Sequence, residues 1–242
     1  ADEKVRLFYM KELKPSPFRL AVAGAYKNQP PQASCAADVS AASLIEFVEK
    51  SKYFENYTFN SCLIFIVAAA LSKMSEKLNM LWVGEDKEAK IIVYDNLNLG
   101  MSLATEKKET TLIPIRDKDV AGESIDVWHL TIHRLNKLVA ELSEKAKRGK
   151  LSKNDYLPHP NIIFNNLGTL ANIDHASPLL PYGSSLMITA LKAKPRPTIY
   201  KGHDMIRPIM PIIITFDHRL FDGPVINEFL GILKDKIENP RF

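Results

Sequence analysis

The sequence is poor in glycine, in cysteine and in long apolar runs. Its 242 residues include 10 glycines, about 4% against roughly 7% in average proteins, which argues against glycine-rich repeats and many tight phosphate-binding loops. The 2 cysteines, Cys35 and Cys62, are too few for a disulfide framework or a four-thiolate metal site. The longest apolar run, from Cys62 to Leu71, is shorter than the about 20 residues that span a bilayer. We therefore expect a protein of a reducing, aqueous compartment that has no membrane partner.

The charges are nearly balanced and evenly mixed. Lysine and arginine number 32 against 28 aspartates and glutamates, which gives a formal net charge of +4. Basic and acidic residues alternate along most of the chain, as in residues 141–150 (ELSEKAKRGK). No tract combines arginines with aromatic residues that would stack on bases. This pattern is typical of solvated surfaces, and we expect no nucleic-acid partner.

The spacing of apolar residues indicates helices and strands without a strict βαβ alternation. Helical periodicity predicts helices over residues 19–26, 40–50, 60–78, 125–148 and 225–238, with Ser40 as a cap. Strands are predicted over residues 90–94, 97–105, 111–115, 161–165, 186–192, 198–201 and 205–216, with a hairpin turn at 202–204. Pro208 and Pro211 argue for an irregular or edge course at the start of the last strand. We predict one α+β domain over residues 15–242, preceded by an N-terminal arm over 1–14.

Four ionisable residues cluster between the last strand and the last helix. Asp217, His218, Arg219 and Asp222 lie within a stretch of six consecutive positions. In one interpretation they form a polar loop, in which Asp222 caps the helix and Arg219 pairs with an acid. In the other, carboxylates and an arginine hold His218 in one rotamer and tautomer, as a general base requires.

This cluster and several other motifs carry a resemblance to a known family. Residues 217–223 (DHRLFDG) resemble the DHRxxDG signature of the catalytic domain of dihydrolipoamide acyltransferases, the core components of 2-oxoacid dehydrogenase complexes. Residues 18–21 (FRLA), 97–105 with 112–116, 144–156 (EKAKRGKLSKNDY), 166–168 (NLG) and 195–197 (PRP) are similar to further family motifs, in the expected order. The resemblance covers residues 15–242. It implies the chloramphenicol acetyltransferase-like fold, a two-layer sandwich of a mixed sheet and helices.

The resemblance also implies roles for individual residues. His218 matches the catalytic base, which takes the proton of the attacking thiol. Asn165 stands where the family has the serine of its SNLG turn, the donor to the tetrahedral oxyanion, and an asparagine amide can also donate there. Asp222 matches the motif aspartate, which in relatives pairs with an arginine at the position of Arg19. Arg19, together with Arg219 and Gly223, is expected to support the His218 loop, whereas Cys35 and Cys62 are expected to be small buried residues.

The implied reaction moves an acyl group between the thiols of dihydrolipoamide and coenzyme A. Coenzyme A would be a co-substrate, and the lipoyl group would come from another domain or protein, because no lipoyl domain precedes the motifs. Partners implied are a homotrimer with active sites at its interfaces, a larger cubic or dodecahedral assembly, lipoyl domains and other complex subunits. The implied location is the cytoplasm, or the mitochondrial matrix in a eukaryote. The acyl group, whether acetyl, succinyl or branched-chain, cannot be derived from the sequence.

Two other functions stay open at this point. A non-catalytic scaffold with the same fold is favoured by Asn165 and disfavoured by the retained His218 and Asp222. A stand-alone acetyltransferase with a small acceptor is disfavoured by the Asp217-His218-Arg219 form of the motif. His129 and His133 have zinc-like spacing on a predicted helix, but they lack a third ligand nearby, so we expect no metal. His175 follows the NLG turn and could line a substrate channel.

Overall fold

A mixed seven-stranded sheet organises the part of the chain that the computed structural model describes, namely residues 20, 23–24, 29–105, 109–118, 124–125, 127–170, 172–200 and 202–242. The strands are β1 (Gln32–Ser40), β2 (Met80–Val83), β3 (Lys90–Val93), β4 (Leu99–Ala104), β5 (Thr110–Pro114), β6 (Asp117–Lys118), β7 (Ser124–Ile125), β8 (Ile162–Asn166), β9 (Leu186–Ala190), β10 (Lys194–Tyr200) and β11 (His203–Asp217). The spatial order is β1-β11-β9-β8-β4-β5, and β10 pairs with β11 beyond the end of β9. β8 runs parallel to both of its neighbours, and the other pairs are antiparallel.

Helices cover one face of this sheet. They are α1 (Ala42–Ser51), α2 (Phe59–Leu71), α3 (Ser75–Leu78), α4 (Ile132–Lys147) and α5 (Gly223–Glu238). The hydroxyls of Thr58 and Thr131 accept hydrogen bonds from backbone N–H groups in the first turns of α2 and α4, which fixes where these helices begin. Among the described residues, none of the helices has the length and apolar character needed to cross a membrane.

The two faces of the sheet have different surroundings. Alternate strand residues such as Phe164, Ile188, Ile214 and Phe216 join the helices in one large core. The opposite face, called the outer face below, carries Ile163, Met187 and neighbouring residues, and Leu180 from the β8–β9 connection covers part of it. The predicted α+β class, with helices packed on a mixed sheet, is therefore confirmed.

Most predicted elements are present, with corrected boundaries. The helix predicted over 60–78 ends at Leu71 and continues as a 3-10 turn and one helical turn. The helix predicted over 125–148 begins at Ile132, because Thr131 caps it and residues 127–129 form a separate 3-10 turn. Ser40 does not cap α1: it is the last residue of β1, and Ala41 occupies the cap position. Of the helix predicted over 19–26, residues 20, 23 and 24 are described and are helical, whereas its other residues and the arm over 1–14 lie outside the described residues.

Strand β1 is absent from the prediction, although it is the longest neighbour of β11. All nine of its residues pair with residues 209–217. Its sequence, QASCAADVS, contains one β-branched aliphatic residue, so its intrinsic strand preference is weak. The strand forms because Ala33 and Cys35 pack onto the helical core while the backbone completes the β11 ladder.

The two prolines of β11 lie where the neighbouring strands end. The carbonyl of Pro208 accepts from the N–H of Ala41, just beyond β1, and the carbonyl of Pro211 accepts from Leu191, just beyond β9. In an antiparallel ladder a residue's nitrogen and carbonyl face the same side. The missing N–H groups therefore fall at gaps in the pairing. The first half of β11 pairs only with β10 and has the predicted edge course, but the strand is continuous rather than irregular.

Candidate active site

Strand β11 carries His218 to one end of the sheet. Residues 212–216 are buried, so the strand direction is fixed by the core up to Asp217. The N–H of Asp217 donates to the carbonyl of Ser185 at 3.0 Å, and the N–H of His218 donates to the carbonyl of Pro31 at 2.8 Å. The backbone that leads into His218 is thus held by neighbouring segments.

An ion pair spans His218 from its two neighbours in sequence. The carboxylate of Asp217 is 2% exposed and accepts from Arg219 through Nε at 3.0 Å and Nη2 at 2.6 Å. Arg219 also donates its backbone N–H to the same carboxylate. Its guanidinium lies 4.9 Å from the ring centre of Trp82 in β2, an arrangement that favours a cation. Arg219 therefore pairs with an acid, as one interpretation of the sequence expected, and supports the loop.

His218 and Asp222 approach each other across this loop. His218 Nδ1 lies 3.6 Å from Asp222 Oδ1, and both side chains are well exposed. Asp222 occupies the N-cap position of α5, with Pro224 in the first turn, but its side chain makes no capping hydrogen bond. The carboxylate is thus free to turn towards the imidazole. A Cβ on Gly223 would meet no atom within 4 Å, so the predicted supporting role of this glycine stays a prediction.

Asn165 lies on the outer face near the end of β8. Its side-chain oxygen accepts from the hydroxyl of Ser102 in β4 at 2.5 Å. The next residue, Asn166, points to the helical face, where its Nδ2 donates to Asn60 and its Oδ1 accepts from the N–H of Gly168. A Cβ at position 168 would come within 2.9 Å of that oxygen, so a side chain there would displace the Asn166 amide.

The described structure does not bring Asn165 and His218 together within one chain. Asn165 pairs with Thr189, and Thr189 pairs with Ile213 of β11. His218 lies five residues further along, since 218 − 213 = 5, which corresponds to about 17 Å at roughly 3.4 Å per residue. A base and an oxyanion donor that act on one carbonyl must both lie about 3 Å from the reacting atoms. Within one chain, the two predicted residues are therefore too far apart to act on the same carbonyl.

A groove of about 410 Å³ lies on the outer face. It includes Ile213, which is two strands away from Asn165 at the same level of the sheet. Its floor includes Ala36 and Ile213, and His175 lies on its rim. Arg196 also lines it and forms an ion pair with Asp38 at 3.3 Å. His175 therefore lines a groove on the face that carries Asn165, and its place in a substrate channel stays a prediction.

The remaining predicted residues have other settings. Arg19 lies outside the described residues, so its expected pairing with Asp222 is not described. Cys62 is buried, and burial raises the pKa of its thiol to about 12. His133 contacts Glu55 at 2.7 Å. In the parts of the chain with described positions, no group of three or more His, Cys, Asp or Glu side chains could hold a metal ion.

Two site residues, Trp82 and Ser102, were not found by sequence analysis. Trp82 contacts the predicted residue Arg219, and Ser102 contacts the predicted residue Asn165. In each pair the two residues are more than 60 positions apart in the sequence. No local spacing in the sequence signals such pairs, because sheet register and a separate ribbon bring them together.

Comparison with known protein families gives a match over almost the whole chain. Residues 14–242 match the model described as 2-oxoacid dehydrogenases acyltransferase (catalytic domain). The acetyltransferase component of the pyruvate dehydrogenase complex of Mycoplasma capricolum is 26% identical over 178 residues, which cover 74% of this chain and 38% of that protein. The lipoamide acyltransferase component of the branched-chain alpha-keto acid dehydrogenase complex of Bacillus subtilis is 26% identical over 198 residues, 81% and 42% of the two chains. The chain spans about two fifths of the length of these relatives.

Solved structures with the same fold were also found. The dihydrolipoamide acetyltransferase of Azotobacter vinelandii, described in work on the catalytic roles of a serine, a histidine and an asparagine, gives a TM-score of 0.80 at 18% identity, over 99% of this chain and 96% of that one. The cubic core of a pyruvate dehydrogenase multienzyme complex gives 0.80 at 17% identity, with the same coverage. A chloramphenicol acetyltransferase gives 0.54 at 15% identity over 93% and 95%. The predicted chloramphenicol acetyltransferase-like fold is confirmed.

Proposed function

The chain belongs to the family of 2-oxoacid dehydrogenase acyltransferase catalytic domains, and on that basis we propose that it transfers an acyl group between the thiols of dihydrolipoamide and coenzyme A. The observation that carries the proposal is the His218 loop. An exposed imidazole stands at a strand end, while a partly buried ion pair and two backbone hydrogen bonds fix the residues around it. This is the setting that a general base needs.

The chemistry requires one base and one oxyanion donor. A thiol with a pKa near 8.5 is mostly protonated at neutral pH. His218 takes its proton as the sulfur attacks the thioester carbonyl, and the carbonyl oxygen becomes an oxyanion. When the intermediate collapses, the bond to the departing sulfur breaks, and the imidazolium returns the proton to that sulfur. Asn165 Nδ2 donates to the oxyanion, a contribution that typically lowers the barrier by about 2.7–4 kcal/mol.

Asp222 assists by holding the imidazole. In the Azotobacter enzyme the histidine and the asparagine named for catalysis are four positions apart, the same interval as from His218 to Asp222, since 222 − 218 = 4. A carboxylate at 3.6 Å from Nδ1 needs only a small movement to accept a hydrogen bond from that nitrogen. Such a bond leaves Nε2 as the basic atom.

The separation of Asn165 and His218 supports a site that is shared between copies of the chain. We assign His218 from one subunit and Asn165 from the next to each site of a homotrimer, which can assemble further as in the cubic core. Coenzyme A and the lipoyl group of a separate domain are the substrates, and other dehydrogenase-complex subunits are the partners. Both relatives match at 26% identity but belong to complexes for different acyl groups, so the proposal leaves the acyl group open.

Acyl transfer itself tests the activity. Transfer from acetyl-, succinyl- and isobutyryl-coenzyme A to free dihydrolipoamide is measured for the wild type and for His218→Ala. We expect transfer with at least one donor and a loss of about 10²- to 10⁴-fold in the variant. No transfer with any donor would instead favour a non-catalytic scaffold, which the asparagine at position 165 makes the second candidate function.

Subunit mixing tests the shared site. His218→Ala and Asn165→Ala chains are unfolded, mixed in equal amounts and refolded together. If each site takes its two residues from different subunits, about a quarter of the sites receive both intact residues. Activity would then return to about a quarter of the wild-type value. Recovery no greater than the average of the two separately refolded variants would contradict the shared site.

A further inference from the structure

Three polar side chains form a row across neighbouring strands of the outer face. β4 and β8 pair with Met101 opposite Phe164, so Ser102 lies beside Asn165. β8 and β9 pair with Asn165 opposite Thr189. Ser102, Asn165 and Thr189 are therefore consecutive members of one row, and Ile213 continues it on β11. Asn165 thus has a hydroxyl on each side.

The two hydroxyls make different contacts. Ser102 Oγ donates to Asn165 Oδ1 at 2.5 Å. Thr189 is buried, and its Oγ1 has no hydrogen-bond partner. Only Ser102 therefore engages the amide, and it engages the oxygen end. Among the hydrogen bonds of the described residues, none uses Asn165 Nδ2, so the donor end of the amide is available.

The orientation of this amide decides what it can do to an oxyanion. The last torsion of an asparagine side chain is broad and roughly two-fold, so an unrestrained amide presents its oxygen about as readily as its nitrogen. An N–H facing an oxyanion stabilises it, whereas a carbonyl oxygen facing it repels it. A serine hydroxyl in the same place would have no such ambiguity, because it rotates to donate. An asparagine at this position thus needs a partner that holds its oxygen.

We propose that Ser102 is a positioning residue for acyl transfer: its hydroxyl holds Asn165 Oδ1 and so turns Nδ2 towards the oxyanion. The inference rests on the proposed function, because it takes Asn165 as the oxyanion donor. It explains how a chain with asparagine in place of the family's serine retains a usable donor. Ser102 need not touch the substrate, since it acts through Asn165.

The test compares kinetic constants in two backgrounds. In the wild-type background Ser102→Ala lowers kcat about five- to tenfold, the value of one hydrogen bond, and leaves KM for the acyl donor unchanged. Ser102→Thr, which keeps the hydroxyl, restores kcat. In the Asn165→Ser background Ser102→Ala has no effect, because the hydroxyl at 165 orients itself. Thr189→Val is the matched control: it removes the other hydroxyl of the row and leaves kcat unchanged.

A spectroscopic measurement separates this inference from the proposed function. The NMR signals of the Asn165 side-chain NH₂ group, identified by their loss in Asn165→Asp, are expected to shift in Ser102→Ala and to stay in place in Thr189→Val. Unshifted signals in Ser102→Ala overturn the inference even if the protein has no transferase activity. An equal loss of kcat in both backgrounds also overturns it. Absence of transfer in the wild type, with the NMR shift present, contradicts the proposed function alone.

Discussion

Asp217 and Arg219 form an ion pair around the residue that separates them, His218. The pair is bidentate, and the carboxylate is almost fully buried. A third contact, from the backbone N–H of Arg219 to the same carboxylate, closes a tight turn. The histidine is therefore excluded from the interior and held at the surface by the pairing of its neighbours.

Removing Arg219 is expected to destabilise the protein as well as the site. Arg219→Ala leaves the Asp217 carboxylate buried without its partner, which should lower the free energy of unfolding by about 3 kcal/mol in urea titrations. The matched control is Arg148→Ala, which removes an exposed pair with Glu144 on α4 and should cost less than about 1 kcal/mol. An Arg219→Ala midpoint equal to that of the control would contradict a stabilising role for the pair.

Asn165 is expected to contribute to turnover and little to stability. Asn165→Ala should lower kcat by about 10²- to 10³-fold, because the oxyanion loses its donor. Asn165→Ser supplies a hydroxyl in its place and should stay within about tenfold of the wild type. Melting temperatures measured on the same samples show whether the fold is intact. Wild-type turnover in Asn165→Ala would remove this residue from the mechanism.

Cys62 makes stability depend on pH in the alkaline range. Burial raises the pKa of this thiol above its ordinary value to about 12. Above about pH 9 the unfolded chain loses this proton while the folded chain retains it. The contribution of the thiol to the free energy of unfolding is therefore complete below that pH and is lost as the pH approaches 12. Urea titrations between pH 8 and 11 should therefore show a steeper decline for the wild type than for Cys62→Ala. Cys35→Ala, the control, should decline as steeply as the wild type.

Thr189→Val is expected to stabilise the fold. The threonine hydroxyl is buried without a partner, and a methyl group of similar shape removes that cost, so the free energy of unfolding should rise by about 1 kcal/mol. Thr215 provides the contrast on the same face, because its hydroxyl contacts Ser34 at 3.0 Å and the Pro178 carbonyl at 3.3 Å. Thr215→Val should lower the free energy of unfolding by about the same amount. If the free energy of unfolding changed with the same sign in both variants, it would contradict the conclusion that the Thr215 hydroxyl has hydrogen-bond partners and the Thr189 hydroxyl has none.

Local patterns predicted the elements that have strong local signals. β11 and α5 were predicted nearly to their ends, because a long apolar strand and a helical stripe adjoin one turn. β1 was not predicted, since its short polar and alanine residues acquire strand structure only through pairing with β11. The break in the helix predicted over 60–78 was also not predicted, because the apolar pattern continues through it.

The candidate site residues were predicted from contiguous motifs, and their catalytic roles stay predictions. His218 and Asp222 lie in one seven-residue signature, and Asn165 directly precedes the Asn-Leu-Gly motif. Ser102 and Trp82 reach the site through sheet register and through the β2–β3 ribbon, and a single sequence contains no signal for either. The acid that pairs with Arg219 is its near neighbour Asp217, which became clear only from the buried side-chain geometry.

Prolines remove backbone N–H donors from part of the β10–β11 ribbon. Pro208 directs its nitrogen away from β10, and Pro195 and Pro197 occupy the alternate register positions of β10 whose nitrogens also face outward. At these three positions the outward-facing nitrogens have no N–H to donate to an incoming strand. Ile199 and Ile206 remain about three quarters exposed near its tip, a combination that would otherwise favour aggregation. The prolines therefore remove donors from the part of the ribbon nearer the sheet, and they leave the apolar side chains near the tip exposed.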